Sequence, residues 1–287
     1  MNGTRLSERR FGIYEKALRP AKWPEMLDDA RSAGYDFVEM SIDESDERLA
    51  RLKWSTAERR KLASACEEAG VPIYSICLSG HRRHGLGSAD PAVRHRADRM
   101  LDQASGLAAD LGIRLIQIAG YHAYYEPSDP LARMRYVAGL QAGLALAAQR
   151  GVMLAIENID TVDTASAEDV LALVDEINSP WFQIYPDVGN FAVHGLDVPG
   201  NVGKVAPHAV GMHLKDARPG QPRRVAFGQG SVPWGRVFGV LGRSGYLGPL
   251  TVEMWNDDPD TATAQAADAL TWIKARLVIQ DEKRIPA

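Results

Sequence analysis

Short runs of apolar residues recur along the whole chain, and longer segments of helical periodicity lie between them. Eight of the short runs have the length, the β-branched or aromatic content and the flanking turn residues of buried strands. In chain order they are Phe11–Tyr14, Phe37–Ser41, Ile73–Leu78, Leu115–Ala119, Met153–Ile156, Phe182–Tyr185, Val210–Leu214 and Leu250–Met254. The pattern therefore predicts eight strands.

The segments between these runs place apolar residues at helical spacing. The clearest are Pro91–Leu111, Leu131–Arg150 and Ala167–Ile177, and the weakest is Leu196–Val205. Several helical segments end at a glycine directly before the next strand, as left-handed helix stops do. These glycines are Gly34, Gly70, Gly112 and Gly151. Such joints lead from helix to strand rather than from one strand into a hairpin.

Strict alternation of strand and helix implies a parallel sheet with right-handed crossovers, and eight units favour closure into a barrel. No Gly-x-Gly-x-x-Gly pattern follows the first strand, which argues against a dinucleotide-binding fold. The 287 residues suffice for a barrel, which needs about 250. We predict an α/β protein, a single (β/α)8 TIM-barrel domain over residues 1–287, whose longest irregular stretch is Asp216–Pro233.

Charge and composition exclude several partners. The formal net charge of -4 gives no general attraction to a polyanion, and no helical segment carries a basic face, so we expect no nucleic-acid partner. No apolar run is long enough to cross a bilayer and no lipidation signal is present, so we expect no membrane partner. The first ten residues lack a secretory pattern, and Cys66 and Cys77 fall within predicted elements. We therefore expect a reduced, cytoplasmic setting.

Four polar residues lie at the ends of the last four predicted strands: Glu157, Asp187, His213 and Glu253. The carboxyl ends of barrel strands face one side of the molecule, so these side chains are expected to meet. Crowded carboxylates repel each other unless they are protonated or share a cation. Mixed oxygen and nitrogen ligation suits Mn²⁺, Mg²⁺, Co²⁺ or Zn²⁺. Any one of the four alone would more readily be an ordinary strand-end polar residue, but the set predicts one divalent metal ion with these four ligands.

A metal and two carboxylates address a specific chemical difficulty. A proton next to a carbonyl group leaves slowly, because the enediolate that results is high in energy and no base is in position. We predict that Glu157 and Glu253 are the catalytic acid and base on opposite faces of a sugar-like substrate. Return of the proton on the far face inverts the carbon.

Several motifs carry a resemblance that covers nearly the whole chain. They are GIYEKAL at 12–18, FVEMS at 37–41, DESDERL at 43–49, CLSGHRR at 77–83, IAGY at 118–121, YPDVGN at 185–190, HLKD at 213–216, FGQG at 227–230 and EMW at 253–255. On these motifs the chain resembles the L-ribulose-5-phosphate 3-epimerases, also called L-xylulose-5-phosphate 3-epimerases, of the xylose isomerase-like TIM barrel superfamily. The resemblance implies that the two ketose phosphates are interconverted through a cis-enediolate. It puts the metal ligands and the acid/base pair on the same four residues.

Three positions differ from the residues that are usual in related proteins. Gly80 stands where the resemblance leads us to expect alanine, and Asn158 stands where isoleucine or methionine is usual. Asn190 lies three residues after Asp187, where related epimerases of free ketoses have histidine, which favours a phosphorylated sugar. The first two departures leave the substrate open.

Further residues are expected to bind the substrate. The loop after the seventh strand and the loop after the third, which contains Arg82, are both rich in basic residues, and we name Lys215 and Arg224 for the phosphate. Strand-end residues could bind sugar hydroxyl groups or cap loops, and Trp255 is expected to form a pocket wall. The full set is Glu15, Glu39, Ser79, His81, Asn190, Lys215, Arg224 and Trp255.

Other functions remain open from the sequence alone. An aldose–ketose isomerase or another ketose epimerase would use the same ligands. An abasic-site endonuclease would call for more histidine ligands and a basic face, and a non-catalytic sugar-binding barrel would bind without proton exchange. The resemblance also suggests a homodimer, although no segment of the sequence identifies an interface.

Overall fold

The computed structural model describes residues 5 to 282, so the first four and last five residues of the predicted domain lie outside it. Its strands, numbered in chain order, are β1 (Phe11–Tyr14), β2 (Phe37–Ser41), β3 (Ile73–Leu78), β4 (Leu115–Ala119), β5 (Met153–Glu157), β6 (Phe182–Ile184), β7 (Met212–Leu214), β8 (Asp216–Arg218), β9 (Gln221–Val225) and β10 (Leu250–Val252). Its α-helices are α1 (Trp23–Ser32), α2 (Asp46–Ala50), α3 (Thr56–Ala69), α4 (Pro91–Asp110), α5 (Ala132–Gln149), α6 (Ala167–Ile177), α7 (Val188–Val193), α8 (Val198–Val205), α9 (Trp234–Ser244) and α10 (Ala262–Glu282). Short 3-10 helices occupy Leu6–Glu8, Glu15–Ala17, Arg51–Lys53, Ser79–Arg82, Val162–Thr164 and Ala206–His208.

Eight of the strands form one parallel sheet in the order β6-β5-β4-β3-β2-β1-β10-β7. The two edge strands of this sheet meet through isolated parallel bridges, which pair Ile184 with Ala209 and Asp187 with His213. Two backbone hydrogen bonds accompany them, from Val210 N to Ile184 O at 3.0 Å and from His213 N to Pro186 O at 2.9 Å. The sheet therefore closes into a barrel along a short junction, which we call the β6–β7 seam.

The predicted barrel is confirmed, and each of the eight predicted strands agrees with an observed strand to within two residues at either end. The four predicted helix stops are confirmed as well. The glycines at these stops have φ angles of 90°, 68°, 73° and 69°, in the left-handed region that residues with a Cβ atom rarely adopt. These residues are Gly34, Gly70, Gly112 and Gly151.

The outer helices cover the barrel with apolar faces at the expected period. Helix α9 buries Trp234, Val237, Phe238 and Leu241, which are spaced so that they share one side of a helix. The interior of the barrel is different, because several strand residues that are buried there are polar. At 0% exposure these include Glu39, Ser75, Gln117, His213 and Thr251. Buried polar groups need hydrogen-bond partners, and their partners lie around the candidate site.

The prediction of an irregular stretch at Asp216–Pro233 is wrong, because β8 and β9 form an antiparallel hairpin there. A polar pair of strands with a proline in the second strand carries no alternation of apolar residues that would reveal it. In the described part of the chain, no helix is both long and apolar enough to span a membrane.

The Asp216 carboxylate holds the segment after this hairpin. It accepts hydrogen bonds from Gly228 N at 2.7 Å, Gly230 N at 3.2 Å and the Trp234 indole at 3.1 Å. A Cβ atom on Gly230 would lie 2.0 Å from Asp216 Oδ1, so only glycine fits at this position. Asp216 of the HLKD motif thus binds the two glycines of the FGQG motif.

Candidate active site and metal centre

Four side chains converge at the carboxyl ends of the barrel strands. Glu157 ends β5, Asp187 precedes α7, His213 lies in β7 and Glu253 follows β10. All four are buried, and one potential ligand atom from each lies within 4.8 Å of the others. The structure therefore brings together the four residues that the sequence indicated as metal ligands, and we call them the four-residue cluster.

Two asparagines, Asn158 and Asn190, hold Asp187 in place. Both are positions at which this sequence differs from some related epimerases. The Asn158 side chain accepts a hydrogen bond from Asp187 N at 2.8 Å and donates one to Asp187 O at 3.0 Å. These two bonds extend the backbone pairing of β5 and β6 beyond the ends of the strands. Asn190 donates its amide hydrogen to Asp187 Oδ1 at 2.9 Å and its side-chain N–H to Asn158 O at 2.8 Å. The backbone and one carboxylate oxygen of Asp187 are thereby fixed.

Lys215 lies inside the cluster rather than at its edge. Its ammonium group is 2.7 Å from Asp187 Oδ2, 3.0 Å from Glu253 Oε2 and 2.8 Å from Asn190 Oδ1. Burial alone would lower the pKa of Lys215, but the carboxylates of Asp187 and Glu253 raise it above its ordinary value. Lys215 therefore carries a positive charge, which offsets part of the negative charge of the cluster's carboxylates.

The pKa values of the cluster's acidic side chains are shifted in different directions. Burial raises the pKa of Glu157 and raises that of Asp187 well above its usual range, against the opposing effect of Lys215. Burial would also raise the pKa of Glu253, but Lys215 and His213 lower it below the usual range. Burial would lower the pKa of His213, yet Glu39 and Glu253 raise it well above 6.5. The crowded carboxylates thus depend on nearby positive charge, as expected of a cation site.

Two oxygen atoms test whether a metal ion fits. Asp187 Oδ2 and Glu253 Oε2 are buried, and among the described residues both lie beside the Lys215 ammonium group, at 2.7 and 3.0 Å. Crowded carboxylates need protons or a shared cation. Three carboxylates and one imidazole are a ligand set that divalent metals accept. The cluster therefore fits a divalent metal ion.

A cavity of about 340 Å³ opens above the cluster. Of the predicted substrate-binding residues, five contribute to its walls: Ser79, Asn190, Lys215, Arg224 and Trp255. Both predicted acid/base residues, Glu157 and Glu253, also line it. Three other predicted residues, Glu15, Glu39 and His81, do not line this cavity.

These three residues are engaged elsewhere. Both carboxylate oxygens of Glu15 pair with the Arg51 guanidinium, at 2.6 and 2.7 Å. His81 is fully buried with its Nε2 3.3 Å from Ala97 O, and burial lowers its pKa to about 4. Glu39 contacts His213 beneath the cavity. A strand-end position alone did not reveal in which direction each of these side chains points.

Four basic residues that the sequence did not name as substrate contacts also line the cavity: Lys16, Arg48, Arg82 and Arg223. Among the described residues, Arg48 Nε and Arg82 Nε are buried without an acceptor. The Arg82 guanidinium packs over the rings of Tyr121 and Tyr124, 5.1 and 4.9 Å from their centroids. The only signal in the sequence that could have identified Arg82 is the basic character of the loop after β3.

Arg224, in contrast, already has a partner at the surface. Its guanidinium donates to both carboxylate oxygens of Asp257, at 2.6 and 2.9 Å, and both side chains are more than half exposed. Arg223 lies deeper, 3.0 Å from Asp160 and 5.7 Å from the centroid of the Trp255 ring. The two adjacent arginines therefore face different surroundings.

Comparison with known proteins agrees with this geometry. The family described as xylose isomerase-like TIM barrel matches residues 27–276. The L-ribulose-5-phosphate 3-epimerase UlaE of Escherichia coli (strain K12) is 43% identical over 268 residues, which cover 93% of this chain and 94% of that protein. The protein of the same name from Salmonella paratyphi A is equally similar, at 43% identity over the same shares of the two chains.

Solved structures are similar in fold at lower sequence identity. A structure of L-ribulose 3-epimerase superimposes with a TM-score of 0.77 and 22% identity, covering 96% of both chains. The D-allulose 3-epimerase from Methylomonas sp., in complex with D-allulose, gives a TM-score of 0.79 and 21% identity, covering 96% of this chain and 99% of that chain. These likenesses extend over the whole barrel.

Proposed function

Because this chain belongs to the xylose isomerase-like TIM barrel family, we propose that it is a metal-dependent 3-epimerase that interconverts L-xylulose 5-phosphate and L-ribulose 5-phosphate. The enzyme class, an epimerase among the isomerases, follows from 43% identity to a relative of that name over nearly the full length of both chains. The finer statements about substrate, metal and catalytic residues are our own proposal.

One observation carries the proposal. Glu157 and Glu253 line the cavity, and they belong to a buried cluster with Asp187 and His213. An epimerase needs one group to take the proton from the carbon next to the carbonyl and another to return a proton on the opposite face. Glu157 at the end of β5 and Glu253 directly after β10 can supply these two groups.

The four-residue cluster would hold the metal ion. When bound, a divalent ion supplies positive charge that stabilises the negative charge on the substrate oxygen during proton removal. Asn158 and Asn190 keep Asp187 in place, and Gln117 Nε2 donates to Glu157 Oε2 at 2.6 Å. These contacts orient the carboxylates before the substrate arrives, so less order has to be imposed during the reaction.

Glu157 and Glu253 would divide the proton transfers at C3. The carboxylate on one face removes the C3 proton, and the carboxyl group on the other face donates a proton to the same carbon. Reversal of roles gives the reverse reaction. The cationic Lys215, 3.0 Å from Glu253 Oε2, favours the ionised form of that carboxylate.

The phosphate group of the substrate would bind at the basic wall of the cavity. Arg48 and Arg82 line the cavity and are mostly buried, and although Arg48 also pairs with Glu15 and Arg82 donates to Tyr121, each guanidinium has further N–H groups that can donate to a phosphate oxygen. Lys215 is already engaged with Asp187 and Glu253, and Arg224 with Asp257. We therefore assign the phosphate to Arg48 and Arg82 rather than to Lys215 and Arg224.

The test follows proton exchange directly. The protein, loaded with Mn²⁺, is incubated with L-xylulose 5-phosphate in D₂O, and deuterium at each carbon is measured by NMR. We expect deuterium at C3 together with formation of L-ribulose 5-phosphate. Glu157→Gln and Glu253→Gln should each reduce the product-forming rate by at least about 100-fold, whereas Glu68→Gln, on the exposed side of α3, should not.

Other labelling patterns would identify other functions. Label at C1 or C2 would indicate an aldose–ketose isomerase. Binding without any label would indicate a non-catalytic sugar-binding barrel. Nicking of DNA that contains an abasic site, without sugar exchange, would indicate an endonuclease.

A further inference from the structure

Glu39 is a buried carboxylate close to the cluster that the proposed proton transfers do not use. It lies in β2, has 0% exposure and does not line the cavity. Each of its oxygens has one short contact. Oε1 is 2.6 Å from His213 Nε2, and Oε2 accepts a hydrogen bond from Ser75 Oγ at 2.6 Å.

The two nitrogens of His213 face different groups. Nδ1 is 2.7 Å from Glu157 Oε1 and 4.0 Å from Glu253 Oε2, so it points into the four-residue cluster. Nε2 points away from the cluster, toward Glu39. Only a ring nitrogen without a proton can bind a metal ion. For His213 to serve the cluster, its proton must therefore reside on Nε2.

A carboxylate is well suited to hold that proton. A carboxylate group can only accept hydrogen bonds, whereas an amide in its place could also donate one and so stabilise the other tautomer of the ring. Among the described residues, His213 is the only basic side chain within ion-pair distance of Glu39. Burying a carboxyl group away from water is costly without such a partner.

We infer that Glu39 is a positioning residue that keeps the proton of His213 on Nε2 and directs Nδ1 at the metal ion. Ser75 assists by fixing the second oxygen of Glu39. The inference rests on the metal site of the proposed function, and it replaces the expectation that Glu39 binds a sugar hydroxyl group. Carboxylates that accept a hydrogen bond from a ligating histidine raise its affinity for the metal by orienting the ring and increasing its basicity.

The first test measures metal affinity without substrate. Metal-free wild type, Glu39→Gln and Ser75→Ala are titrated with Zn²⁺ in competition with a chromophoric chelator. Glu39→Gln keeps the shape of the side chain and removes its charge, and we expect its Zn²⁺ dissociation constant to rise by about 10- to 100-fold. Ser75→Ala leaves the charge in place, so its effect should be smaller. Glu68→Gln is the matched control and should equal wild type.

The second test examines the wild-type ring itself. Two-bond ¹H–¹⁵N NMR correlations of the Zn²⁺-loaded protein distinguish a proton on Nε2 from one on Nδ1. We expect His213 to carry its proton on Nε2 in wild type. This measurement does not depend on whether the Glu39→Gln variant folds, and urea unfolding of the metal-free variants shows which of them do.

Either of two results would overturn the inference. One is an unchanged Zn²⁺ dissociation constant in folded Glu39→Gln, and the other is a proton on Nδ1 of His213 in the loaded wild type. Failure of the epimerase proposal looks different. In that case Zn²⁺ binding and the Nε2 proton are as expected, but no deuterium enters at C3.

Discussion

Arg82 and Arg224 differ in what already surrounds their guanidinium groups, and this difference gives a test of the phosphate assignment. Arg82→Gln should raise the KM for L-xylulose 5-phosphate at least about tenfold with a smaller change in kcat, because a charge-assisted contact made equally in the bound and transition states acts on binding. Arg224→Gln removes an exposed pair with Asp257 and should change KM little. Steady-state kinetics of the two variants make the comparison, and a larger effect at Arg224 would reverse the assignment.

For individual residues, the sequence predicted which side chains lie close together but not the direction in which each side chain points. Glu157, Asp187, His213 and Glu253 could be found because the ends of consecutive barrel strands must lie together. Glu39 was expected to meet the substrate and instead contacts His213, 174 residues away in the chain. No local pattern encodes a contact of that separation.

One carboxylate, that of Asp216 in the hairpin β8–β9, holds the segment that follows the hairpin. Asp216→Asn replaces one acceptor oxygen by a donor that faces the N–H groups of Gly228, Gly230 and Trp234. We expect a loss of about 2 kcal/mol in the free energy of unfolding, since buried donors left without an acceptor cost about 1 to 3 kcal/mol. Urea unfolding measures this loss, and amide hydrogen exchange at Gly228 and Gly230 should become faster.

Asp257→Asn is the matched control for this variant, because Asp257 contacts the same hairpin through the exposed side chain of Arg224. It should leave the unfolding midpoint and the exchange of Gly228 and Gly230 unchanged. Equal effects of the two substitutions would mean that Asp216 has no special part in holding the segment.

The hairpin also shows why elements differ in how well the sequence reveals them. The barrel strands are buried on both sides and appear as mostly apolar runs, such as Leu115–Ala119, in which Gln117 is the one polar residue, so their ends were predicted closely. Strand β9, Gln221–Val225, is half-exposed and contains two arginines. It is defined by its pairing with β8, and the apolar pattern of the sequence does not record that pairing.

For the whole molecule, the metal ion should contribute to stability. Ligand that binds only the folded state at 100 times its dissociation constant adds about 2.7 kcal/mol, which for a domain of this size raises the Tm by about 4 to 5 °C. Thermal unfolding of metal-free protein with and without Zn²⁺ measures the shift, and EDTA should reverse it. Asp187→Asn should lose most of the increment, and a full increment in that variant would indicate that the ion binds elsewhere.

The β6–β7 seam divides the chain between the two pairs of proposed ligands. Glu157 and Asp187 lie on the β6 side of the seam, His213 and Glu253 lie on the β7 side, and the Asp187–His213 bridge joins the two sides. A complete coordination shell can therefore form only after the two parts of the polypeptide have met. The visible absorption of Co²⁺ depends on its ligands. During refolding in the presence of Co²⁺, the absorbance change at this site would therefore report when the barrel closes.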